Sequence, residues 1–118
     1  MSTQPGHGAE LVLRPECTPG AVRVALARIA PHRLDEMEKH KEEALAAAIQ
    51  ASKIGHLQHW LTHWAAQVEI ERRPDLSARR SRALATIHGT ASKDDPAFRS
   101  AMAELRAVED AATQAVSE

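Results

Sequence analysis

The chain has 118 residues, 43 % of them hydrophobic and only 3 % aromatic, and a formal net charge of −1. A molecule so near neutrality does not as a whole attract nucleic acid or an anionic membrane, its single cysteine, Cys17, excludes an intramolecular disulfide, and no apolar run approaches the ~20 residues of a membrane span. The opening MSTQPGHGAE lacks the basic and apolar segments of a signal peptide, so a single cytoplasmic domain is expected.

Runs of Ala, Leu, Glu, Arg and Gln, the absence of Tyr and the scarcity of β-branched residues favour helix. No stretch alternates with period two, so the expected fold is all-α, a small bundle of four to five helices. Residues 1–17, rich in Gly, Pro, Ser and Gln with one apolar patch at Leu11-Val12-Leu13, read as a disordered tail. A core domain over 18–89 begins at Thr18-Pro19, an N-cap residue followed by proline at the first helical position. Val22, Leu26 and Ile29 then recur at helical spacing until Pro31. From Pro31 a second helix runs to about Ser52, with Leu34, Met37, Leu45, Ala48 and Ile49 expected inside. Asp35, Glu36, Glu38, Lys39, Lys41, Glu42 and Glu43 are expected in solvent.

Lys53-Ile54-Gly55 interrupts the pattern, with Gly55 expected as a C′ residue or hinge. The third helix, ending near Pro74, holds both tryptophans. At about 100° per residue, Ile54, Leu57, Trp60, Leu61, Trp64 and Val68 share one face. Two indoles in so aromatic-poor a chain must anchor the core. Asp75 is expected to cap a fourth helix carrying Leu76, Ala83, Leu84 and Ile87 inward. Residues 90–95 read as a linker, and Asp95-Pro96 opens a last helix over 96–118.

This order of features resembles a small uncharacterised family of actinobacterial helical proteins. The resemblance rests on TPGAVRVAL, an acidic-basic helix, a Leu–Trp–Leu–Trp face and RRPDLSARR, and covers residues 18–89. It implies a helical domain and carries no activity with it.

Three constellations bear on function. His56, His59 and His63 lie along one edge of the Trp helix. His59 and His63, or His56 and His59, have the spacing to share a zinc ion, but His56 and His63 are about 10.5 Å apart along the axis. Trp60 stands where a zinc protease has its glutamate. No metal or cofactor is expected, and the alternatives are histidines flanking a buried face or a pH-sensitive contact. Arg72, Arg73, Arg79, Arg80 and Arg82 form a patch for phosphates, for an acidic partner, or for intramolecular pairing with the Glu-rich second helix. In the last helix Phe98, Met102, Leu105 and Val108 form an apolar stripe that either folds back onto the bundle or, as its narrow seam favours, docks onto a partner chain or a second copy. Cys17 has no base in prospect and no phosphate loop occurs, so an enzyme is not expected. The reading is a non-catalytic interaction protein, regulator- or antitoxin-like. The alternative is a small nucleic-acid-binding protein using the arginines.

Overall fold

A computed structural model describes residues 12–118, and the fold is all-α. The helices are α1 (Pro19–Ile29), α2 (Leu34–Ala51), α3 (Gly55–Arg72), α4 (Pro74–Gly89) and α5 (Pro96–Val116), with a 3-10 turn at Pro31–Arg33 leading into α2. Two of the starts follow from side-chain caps. Thr18 Oγ1 accepts from the Ala21 amide at 3.3 Å and Asp95 Oδ1 from the Ala97 amide at 2.8 Å, each satisfying a donor that the first turn leaves open. Asp75 does not cap α4. The helix opens one residue earlier at Pro74, and Asp75 instead accepts from Arg73 at 2.8 Å.

The α2/α3 connection also differs from expectation. Ser52, not Gly55, takes the left-handed conformation (φ 55°) that closes α2, and Gly55 opens α3. The Lys53 amide reaches Ala48 O at 3.0 Å and the Ser52 amide Ile49 O at 3.3 Å, the bond pair of a Schellman motif.

α3 is the central helix. Through Trp60, Trp64 and Val68 it forms one apolar cluster with Val22 and Leu26 of α1 and Met37 of α2. Through Ala66 and Ile70 it forms another with Leu76 of α4 and Val108 and Ala112 of α5. Every residue from Trp64 to Ile70 is consequently buried, including Gln67 and Glu69. The expected single apolar face holds from Trp60 to Val68 but not at its start, where Ile54 is 65 % exposed.

α5 is not a tethered arm. It packs against both α3 and α4, so the stripe expected to take a partner is folded back onto the bundle. Val108 is fully buried, Phe98 and Leu105 partly, and Met102 is exposed. The buried residues of α5 are Ala101, Val108 and Ala112. The linker loops back through short bonds, such as Thr90 Oγ1 donating to Thr86 O at 2.6 Å.

Of the expected tail, residues 1–11 lie outside the described ones. Val12–Cys17 form no helix, yet they are tied down. Val12 O accepts from Arg72 Nε at 2.9 Å, and Arg14 donates to Glu69 and to Ala115 O. Among the described residues no helix is long and apolar enough to cross a membrane.

Candidate functional site

α2 and α3 form a helical hairpin with two unlike sides. On one side lies a cavity of about 420 Å³ lined by His40, Glu43, Ala44, His56, His59, Trp60, His63 and Trp64. The helical periods explain the set. His40, Glu43 and Ala44 share a stripe of α2, and His56, His59, Trp60 and His63 a stripe of α3. The His40 and His63 ring centres are 6.3 Å apart, and each packs on Trp64, at 5.6 and 5.5 Å. Arg33 lies over the same indole at 5.0 Å, a cation–π contact. Trp60 Nε1 donates to Met37 O at 3.1 Å, while Trp64 Nε1 is buried with no acceptor among the described residues. Burial pushes the His63 imidazole down. Glu109 opposes this, and the neighbouring His40, His59 and Arg33 reinforce it, so His63 titrates below the ordinary histidine value. Among the described residues no three His, Cys, Asp or Glu side chains gather to hold a metal ion. The sequence reading named His56, His59 and His63 but missed His40, which only the hairpin brings to them. Its signal was its place three residues after Met37, at the edge of the buried stripe.

The other side of the hairpin is apolar. A cavity of about 290 Å³ is lined by Pro19, Lys41, Ile54, Leu57, Gln58, Trp60 and Leu61, with Lys41 Nζ 5.9 Å from the Trp60 ring centre. Leu45 and Ile49 follow Lys41 at four-residue steps and continue its stripe along α2. Neither is in the core as expected. Leu45 is 45 % and Ile49 72 % exposed, whereas α2 buries Met37 and Ala48 and packs Met37 and Ala44 into the cluster with α3.

The arginine patch resolves into ion pairs, and its partners are not the Glu-rich second helix. Glu69, fully buried, accepts from Arg72 Nη1 and from Arg14 Nε and Nη2, each at 2.9 Å. Burial pushes its carboxyl up, but the Arg14 hydrogen bonds and the Arg72 charge outweigh that and hold it below the ordinary value. Arg73 pairs with Asp75 at 2.8 Å, and Arg79 with Glu104 of α5 at 2.8 Å. Glu71 takes Arg33 at 3.0 Å and Arg80 at 3.9 Å. Burial, and then the Arg33 charge, press the Arg80 guanidinium below its ordinary value. Arg82 is exposed on the rim of a groove between α4 and α5. These five residues therefore do not present one common surface.

Set against models of protein families, curated proteins and solved structures, the chain matches none of them. Any reading of function therefore rests on the geometry of this hairpin and its neighbours.

Proposed function

We propose that this protein is a non-catalytic interaction module, regulatory in kind, that holds a partner protein on the apolar side of the α2/α3 hairpin. The observation that carries the reading is the exposure of Leu45, Ile49 and Ile54 at 45 %, 72 % and 65 % beside an apolar cavity. Covering aliphatic side chains of this size is worth about 1.5–3 kcal/mol each when complete. Exposed apolar side chains beside an apolar cavity support a docking surface. The α5 stripe is already used inside the fold and is not part of this surface.

The nucleic-acid alternative has less support, because Arg72, Arg73, Arg79 and Arg80 each lie within 3.9 Å of a carboxylate. A phosphate backbone would have to displace those partners.

The test is affinity capture from the native source with wild type and an Ile49→Asp, Ile54→Asp variant, together with light scattering on both. Both side chains are exposed, so the variant should melt close to wild type. A protein retained by wild type and lost by the variant supports the reading, as does a dimer that the variant dissolves. Equal retention by both, with both monomeric, refutes it.

A further inference from the structure

The histidine side of the hairpin has a property of its own. His63, half-buried between α2 and α3, faces His40 across the seam, His59 one turn earlier on α3 and Arg33 from the turn before α2. From α5 it faces Glu109, which already accepts from Gln67 Nε2 at 2.7 Å. From α4, Arg80 adds a further positive charge next to Arg33 and Glu109. Glu43 and His56 complete the cavity wall. Burial disfavours the charged form of His63, and its uncharged ring is compatible with this crowding. A proton on His63 sets a cation beside the fixed Arg33.

The remainder of the bundle is held differently. α3, α4 and α5 are joined by Arg79–Glu104 and Gln67–Glu109 and by the apolar cluster around Ile70, Leu76 and Val108. The Glu69 carboxyl, held below its ordinary value, keeps its charge through the range in which histidines titrate. α2 is fastened to α3 at its start through Arg33, which pairs with Glu36 of α2 and Glu71 of α3, and beyond it by Met37, partly buried Leu34 and Ala44 and the Trp60–Met37 hydrogen bond, and it ends at the left-handed Ser52.

We propose that the α2/α3 seam is an acid-sensitive contact, in which protonation of His63, set among His40, His59 and Arg33, releases α2 from α3 and uncovers the two indoles while α3, α4 and α5 stay packed. The linkage has the same sign. A histidine that titrates lower in the folded chain than in the unfolded one binds fewer protons when folded, so stability drops as pH falls below about 6.5.

The two tryptophans of the chain, Trp60 and Trp64, both line this cavity. Acrylamide quenching of their fluorescence in the full chain, measured from about pH 8 to about pH 5 beside the far-ultraviolet helix signal, reads the seam directly. The expected result is quenching that rises as pH falls while most of the helix signal remains, and a rise that is flattened in a His40→Gln, His63→Gln variant. Quenching that stays constant in wild type overturns the proposal without reference to any variant. So does an equal rise in the variant, or a helix signal that collapses together with the tryptophan change. Should the double variant fail to fold at the upper pH, His59→Gln, at an exposed position, replaces it. A diminished rise then supports the proposal and an unchanged one overturns it.

Discussion

Replacing Glu69 by alanine tests how the centre of the bundle is held. Its carboxylate is fully buried and accepts three hydrogen bonds of 2.9 Å, two from Arg14 and one from Arg72, with Arg73 at 3.7 Å. The consequences for these arginines differ. The Arg14 side chain is 45 % exposed and can rehydrate, whereas that of Arg72 is 7 % exposed and cannot. Arg72 keeps its bond to Val12 O but loses the buried Glu69 carboxylate at 2.9 Å. Removing one partner of such a buried pair costs about 3–5 kcal/mol, a large part of the 5–15 kcal/mol that stabilises a typical domain. Arg14→Ala, at the exposed end, should cost only about 1 kcal/mol. Urea titration followed by circular dichroism measures both, with an unchanged slope as the sign that only stability has moved. A Glu69→Ala loss below about 1 kcal/mol, or one no larger than that of Arg14→Ala, would refute the buried-lock reasoning. The pH dependence gives a second check. Since the folded carboxyl titrates below its ordinary value, its contribution is complete above about pH 4.5 and is lost as pH falls through the folded value. Wild type should therefore lose this increment in acid, and Glu69→Ala should show no such loss.

Other outcomes can be checked in the same way. Trp64→Ala should cost about 3–5 kcal/mol, since the indole is fully buried; a melting temperature within a few degrees of wild type would place Trp64 outside the core. Ser52→Gly should stabilise the chain by about 0.5–1 kcal/mol by relieving a left-handed non-glycine residue, and a lower melting temperature would contradict the Schellman assignment. Val108→Asp should unfold or severely destabilise the chain, because Val108 is fully buried against α3 and α4; a well-folded variant would mean that α5 is dispensable. Dialysis against a strong chelator should leave the thermal melt unchanged, and a stoichiometric metal whose removal lowers it would reverse the reading of the histidine row.

The helices were legible in the sequence because their signals are local. Thr18-Pro19 and Asp95-Pro96 cap as they read, and the tryptophan period marked the central helix correctly. What failed depended on neighbours. Leu45 and Ile49 have the same hydrophobicity as core residues, but α2 lies mainly on α3, and Met37 with partly buried Leu34 and Ala44 makes its contribution to that cluster. α5 read as separable because its linker is polar. It is held instead by Val108 and Ala112 in the cluster with Ala66, Ile70 and Leu76 and by Arg79–Glu104, pairs that no local window contains.

The same distinction separates the two sides of the hairpin. Three of its histidines could be read as one row from the spacing within α3 alone. His40 and Arg33 join them only because α2 runs back along α3, which depends on the left-handed turn at Ser52. The arginines show the converse. Five cations in eleven residues look like a surface when nothing in that window except Asp75 can neutralise them. Three of their partners, Glu69, Glu71 and Glu104, lie outside it. An all-round buried helix has to bury some polar side chains, and α3 satisfies Gln67 and Glu69 with groups from α5, from the 12–17 segment and from its own last turn. With much of the basic cluster committed to these pairs, Leu45, Ile49 and Ile54 are among the large apolar side chains that folding leaves exposed. For that reason the functional reading moves from the arginines and the last helix to the α2/α3 hairpin.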